Sequence, residues 1–125
     1  VLRVAIGTQP GRRALHVTES TKASSLLEPL DRDSEPVTVP VMRLDSIDTD
    51  ANVLVVDVQG AELDVLRSDD LSRFDMVVVE TRSIPRYRGQ AKPKEVHERL
   101  TAAEFRRVAK VPHRNPAIVD HVYVR

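Results

Sequence analysis

Cysteine and tryptophan are both absent from the 125 residues, and aromatic side chains make up only 3% of them. Without thiols there can be no disulfide, no thiolate zinc site and no cysteine nucleophile, which points to a reducing compartment, the cytoplasm. So few aromatics leave little with which to stack the bases of a single strand. Neither sign of charge prevails, since 19 basic residues balance 19 acidic ones. No global field therefore favours nucleic acid or an anionic membrane, and neither is expected as a partner. No apolar run approaches the roughly 20 residues that span a bilayer, and no secretory leader pattern is visible. Glycine is scarce as well: Gly7, Gly11, Gly60 and Gly89 are the only four, and no two form a Gly-x-Gly pair.

What is present suits one soluble globular domain, 1–125, with 41% hydrophobic and 30% charged residues. Val1 stands directly inside the strand-like run "VLRVAIG", so the N-terminus reads as cut or short by origin. Residues 1–50 read as strands and connectors. A strand over 1–6 ends at Gly7, "GTQPGRR" is a turn, and "ALHVTES" is a second short strand. "DRDSE" is solvated loop. "VTVPVMRL" alternates in polarity, but Pro40 lacks a backbone donor and places it on a sheet edge or in an extended connector.

Residues 51–125 carry stronger signals. "VLVVDV" is apolar on both alternating faces, as in a parallel strand covered on both sides. Gly60 turns the chain into "AELDVLR", whose Leu63 and Leu66 share a helical face and whose Glu62 and Asp64 suit the first turn. "DMVVVET" is a second buried strand. "KEVHERLTAAEF" is a helix with Val96, Leu100 and Ala103 inward and Pro93 near its start. "FRRVAKV" and "IVDHVYVR" flank a turn cluster and form an antiparallel pair. The order strand, helix, strand, helix, strand, strand is that of half a doubly wound α/β domain.

Ligands of open α/β sheets bind beyond the carboxyl ends of the parallel strands. Asp57 and Glu80 lie near two such ends, and Glu62 follows Gly60 at the same rim. Neighbouring strands run about 4.8 Å apart, close enough for two carboxylates to share a crevice and for one to bind its proton more tightly. Such a group can act as general base or accept a substrate hydroxyl, whereas a strand-end acid can equally serve the following turn. Those three acids could hold Mg²⁺, though the pattern requires no metal. His16, His97, His113 and His121 show no ligand spacing and read as surface or turn residues. The basic loop "SIPRYRGQAKPK" is solvated, or else receives an anion, with Tyr87 free to stack on a sugar.

"LVVDVQGAELDVL" followed by "FDMVVVET" resembles the core signature of the FkbM family of methyltransferases. "VAIG", "ASSLLEP", "VTVPVMRLDSI" and "YRG" fall in that family's order around it, so the resemblance covers nearly the whole chain. It implies a Rossmann-like class I fold and S-adenosylmethionine-dependent O-methylation of a small-molecule acceptor, a hydroxyl of a sugar or natural product. It further implies catalytic roles for Asp57, Glu80 and Glu62, and places Ser24, Ser25 and Gln59 beside the cofactor. The family's Gly-rich cofactor loop has no counterpart here; "GTQPG" carries a proline. By alignment Val1 falls after that loop, so the chain reads as the C-terminal part of the domain, and cofactor binding by this chain alone is doubtful. The strand carrying Asp57 then has an open edge, to be met by excision from a longer protein, by residues 1–44 pairing there, or by a second copy in a homodimer. The competing expectation is a catalytically silent remnant that uses this edge for dimerisation or partner binding.

Overall fold

Each half of the chain builds its own β-sheet in the computed structural model, which describes residues 1–125. In the first half, β1 (Ala5–Ile6), β2 (Gly11–Val17) and β3 (Glu35–Met42) lie in the order β1-β3-β2. In the second, β4 (Val53–Val56), β5 (Met76–Arg82), β6 (Arg106–Pro112) and β7 (Ile118–Val124) lie in the order β4-β5-β7-β6. β4 and β5 are parallel, and β7 runs antiparallel to both its neighbours. Helix α1 (Glu62–Arg67) joins β4 to β5, and α2 (Pro93–Ala102) joins β5 to β6. The element order expected for 51–125 is the one observed, including the terminal antiparallel pair.

Period-2 alternation explains β5. Val77, Val79 and Thr81 are buried, while Met76, Val78 and Glu80, which alternate with them, are less completely buried. Period 3.6 explains α2, whose Val96 and Leu100 lie four residues apart and are both buried. Pro93 occupies the first turn, where its missing donor costs nothing, and the Lys92 N–H donates to the Glu95 carboxylate at 2.8 Å. Leu63 and Leu66 of α1, Val96 and Leu100 of α2, and Val56, Val77, Val79 and Tyr123 of the sheet share one core with Leu71, Phe74 and Phe105 from the connections.

Both helices pack on the same side of that sheet, which corrects the expectation that β4 is covered on both faces. Val56 is buried, but Val53 is 46% and Val55 69% exposed. A valine run reads alike whether one face or two are covered, so the sequence could not separate these cases. Neither does the first sheet pair with β4: residues 1–44 form their own sheet and leave that edge without a neighbour.

Pro40 also lies elsewhere than expected, because β3 is the middle strand of its sheet. His16 exchanges both backbone hydrogen bonds with Ser25 (2.8 and 3.2 Å), so its polar groups point away from β3. The residue opposite it, Pro36, therefore sits at a non-hydrogen-bonded position, as does Pro40 four residues on, opposite Arg12. β1 pairs only with Val41 and Met42, so neither proline has a ladder bond to lose.

Candidate functional site

The turn from β4 into α1 is fastened by hydrogen bonds from distant segments of the chain. Gln59 (φ 53°) and Gly60 (φ 100°) both have positive φ, which reverses the backbone between the strand and Glu62. Ser25 Oγ donates to the Gln59 carbonyl at 2.8 Å, and the Ala91 N–H donates to the Gly60 carbonyl at 3.0 Å. The Tyr87 hydroxyl lies 2.9 Å from the Ala23 carbonyl and 3.4 Å from Gln59 Oε1. Segments near residues 25, 60 and 90 thus meet at one point.

Asp57 stands at the start of this turn, where Gln59 Nε2 donates to its carboxylate at 2.6 Å and fixes its orientation. It opens onto a cavity of about 480 Å³ between the first sheet and the β4–α1 turn, within the ~300–1,000 Å³ usual for small-molecule sites. Aliphatic walls come from Ile6, Leu15, Leu26 and Val39, and polar groups from Arg3, Ser24, Ser25 and Asp57. The structure therefore brings Asp57, Ser24 and Ser25 together across more than thirty positions of sequence. Ser25 is buried and its hydroxyl is already committed, donating to Gln59 and accepting from the Leu27 N–H at 3.0 Å. Ser24 Oγ accepts weakly from the Thr18 N–H at 3.4 Å.

The other two acids lie apart from this cavity, in a closed crevice with Gly60, Thr81, Arg82 and Gln90. Glu62 is buried and reaches back from the first position of α1 to accept the Gly60 N–H at 2.8 Å, closing the turn. Burial raises its proton affinity above that of an ordinary glutamate. Glu80 is raised too, first by burial and then by the Asp57 charge, while Arg82 at 3.5 Å opposes the shift.

Tyr87, the anion-receiving role of the basic loop and His121 are corrected here. Tyr87 is buried against residues 23 and 29 and is not free to stack on a sugar. The basic loop is largely solvent-exposed, as expected of a solvated loop, and its Arg86 and Arg88 are not free to receive an anion, since they pair with Asp31 (2.9 Å) and Glu28 (3.0 Å). "DRDSE" is mostly exposed, as expected, and only its Asp31 reaches the basic loop, through Arg86. His121 is no surface residue: it is buried, with Nε2 2.9 Å from Thr81 Oγ1. Burial and nearby cations keep it below the usual histidine range. The buried position follows from β7 alternation, a signal that was available in "IVDHVYVR". His113, by contrast, comes to 2.8 Å from Asp120 and gathers with Glu80.

No helix is long and apolar enough to cross a membrane. The family model described as the methyltransferase FkbM domain matches residues 3–107, from just before β1 into β6. No curated protein and no solved structure matches the chain.

Proposed function

Because the chain belongs to the FkbM methyltransferase family, we propose that it carries the acceptor side of an S-adenosylmethionine-dependent O-methyltransferase, acting on a hydroxyl of a sugar or natural product. A Rossmann-like class I architecture is part of this reading. It is supported by the order β4-β5-β7-β6, a parallel pair extended by one inserted antiparallel strand, as in the outer half of a doubly wound sheet.

The observation that carries the proposal is the cavity in which Asp57 meets Ser24 across aliphatic walls. A hydroxyl gains nucleophilicity as its proton leaves, and methyl transfer proceeds by in-line displacement, so a positioned carboxylate and a shaped cavity supply most of what is needed. Asp57, oriented by Gln59, takes that proton; Ser24 and Arg3 offer polar contacts to the acceptor's other oxygens; the aliphatic walls offer it apolar contact. Glu62 holds the turn. The donor, when bound, supplies an electrophilic methyl group.

These residues do not fit the donor's nucleoside. Close approach of a nucleotide calls for open glycine backbone, yet Gly60 is backed by Gln90, Tyr87 and Leu27 side chains at 3.1, 3.2 and 3.4 Å from where a Cβ would stand. Ser25 and Gln59, assigned to the cofactor by resemblance, spend their polar atoms within the turn. Calorimetric titration of S-adenosylmethionine into the chain is accordingly expected to give no saturable heat. A short alkyl glycoside, titrated in ¹⁵N–¹H spectra, is expected to shift the amides of Ser24 and Asp57. Unmoved amides, or saturable S-adenosylmethionine binding, would overturn the acceptor-side assignment.

A second reading, a catalytically silent methyltransferase-like module that dimerises or binds a partner, is favoured by the unpaired outer edge of β4 beside the exposed Val53 and Val55. It predicts a homodimer in sedimentation equilibrium at tens of micromolar, halved in mass by Val55→Lys. A wild-type monomer at that concentration removes it.

A further inference from the structure

At the hairpin end of the second sheet, three side chains with metal-ligating atoms face one another outside the cavity. Glu80 on β5 and Asp120 on β7 occupy directly opposed register positions, so their carboxylates leave the same face of the sheet. That face is the one without helices. The β6–β7 turn folds back on itself, the His113 N–H donating to the Ile118 carbonyl at 3.0 Å. This brings His113 Nε2 to 2.8 Å from Asp120 Oδ2. One ligand atom each from Glu80, His113 and Asp120 lies within 4.8 Å of the other two.

We propose that Glu80, His113 and Asp120 form a divalent-cation site that fastens the β6–β7 hairpin to β5. Like charges directly opposed on neighbouring strands are destabilising, and here the pair is flanked by a third acid, Asp57, whose charge acts on Glu80. Arg82 and His113 offset that repulsion in part. Arg82 approaches Glu80 only to 3.5 Å, and its buried Nε has no hydrogen-bond partner. A dication between the carboxylates converts that repulsion into attraction and needs only neutral His113 as its nitrogen donor.

Metal–ligand bonds of about 2.0–2.2 Å place neighbouring ligand atoms of one ion about 3 Å apart. The His113–Asp120 spacing is already close to this, and a side-chain rotation of Glu80, whose side chain is 11% exposed, supplies the third bond. One imidazole nitrogen with two carboxylate oxygens selects borderline ions such as Zn²⁺, Co²⁺ or Mn²⁺ over soft ones. The two or three remaining coordination positions face solvent and would hold water.

The probe is Co²⁺, titrated into chelator-stripped protein and followed by calorimetry and visible absorption. Saturable one-to-one binding with ligand-field bands is expected, together with a rise in Tm. His113→Ala and Asp120→Asn should each weaken binding about tenfold or more and abolish the Tm rise, while His16→Ala leaves both unchanged. His113 lies in an exposed turn, so its variant folds, which circular dichroism verifies. Absence of saturation at about 1 mM, or wild-type affinity in His113→Ala, would overturn the site.

Discussion

Leu100→Ala is expected to lower the unfolding free energy by about 2–5 kcal/mol, the range for truncating a fully buried leucine that its surroundings cannot collapse to replace. Leu100 has no exposed surface and belongs to the single core shared by α1, α2 and the larger sheet. It also receives, at its carbonyl, the Phe105 N–H at 3.0 Å, so its backbone ends the helix while its side chain anchors it. The core has helices on one side only, which leaves no second layer to absorb the lost volume. Equilibrium urea unfolding gives the value directly. A loss below about 1 kcal/mol would mean that α2 does not dock as described. Glu98→Ala, on the exposed side of the same helix, should stay within about 0.5 kcal/mol of wild type.

Gly60→Ala is the second large effect, expected at about 2–5 kcal/mol from two sources that can be separated. An L-residue in left-handed backbone costs about 1–2 kcal/mol, and overfilling a packed site typically costs about 1–3 more. Both apply at Gly60, where φ is +100° and a Cβ would meet Gln90 Cγ at 3.1 Å and Tyr87 Cδ2 at 3.2 Å. Gly89 provides the control, with φ +74° and no atom within 4 Å of its would-be Cβ. Gly89→Ala should therefore show the backbone cost alone, and the difference between the two variants measures how tightly Tyr87 and Gln90 clasp the turn. Equal losses would mean that the clasp yields freely.

The same turn shows what was legible in the sequence. The elements of 51–125 followed from apolar runs and periodicity, with Gly60 before α1, Pro93 opening α2 and Pro116 before β7 marking where elements begin. Asp57 was legible as a strand-end acid, but its company was not. Ser24 and Ser25 reach it only through the pairing of residue 25 with His16, and no local pattern encodes such a pairing. Glu62 has the same chemistry as Asp57 and stands in the same motif, yet one faces the Gly60 N–H and the other a cavity. Only the positive φ of Gln59 and Gly60 separates their fates. Likewise Glu80, His113 and Asp120 converge through a hairpin register that includes an irregularity between Arg107 and Ala109. A one-residue slip would send each side chain to the opposite face. The uncovered face of β4 and the central place of Pro40 escaped for a related reason: side-chain pattern reports burial of a strand, and says little about which neighbour lies beyond it.

The bonds that hold the Asp57 turn also bear on when it can form. They join residues 34 positions apart from Ser25 to Gln59, and 64 positions apart from Ala23 to Tyr87. Contacts so distant along the chain are assembled late, since loop entropy must be lost before they return anything. The carboxylate can therefore be in place only after both sheets exist and have met, so its geometry serves as a record of completed folding. Damage to the loop at 23–31 would reach Asp57 without touching it.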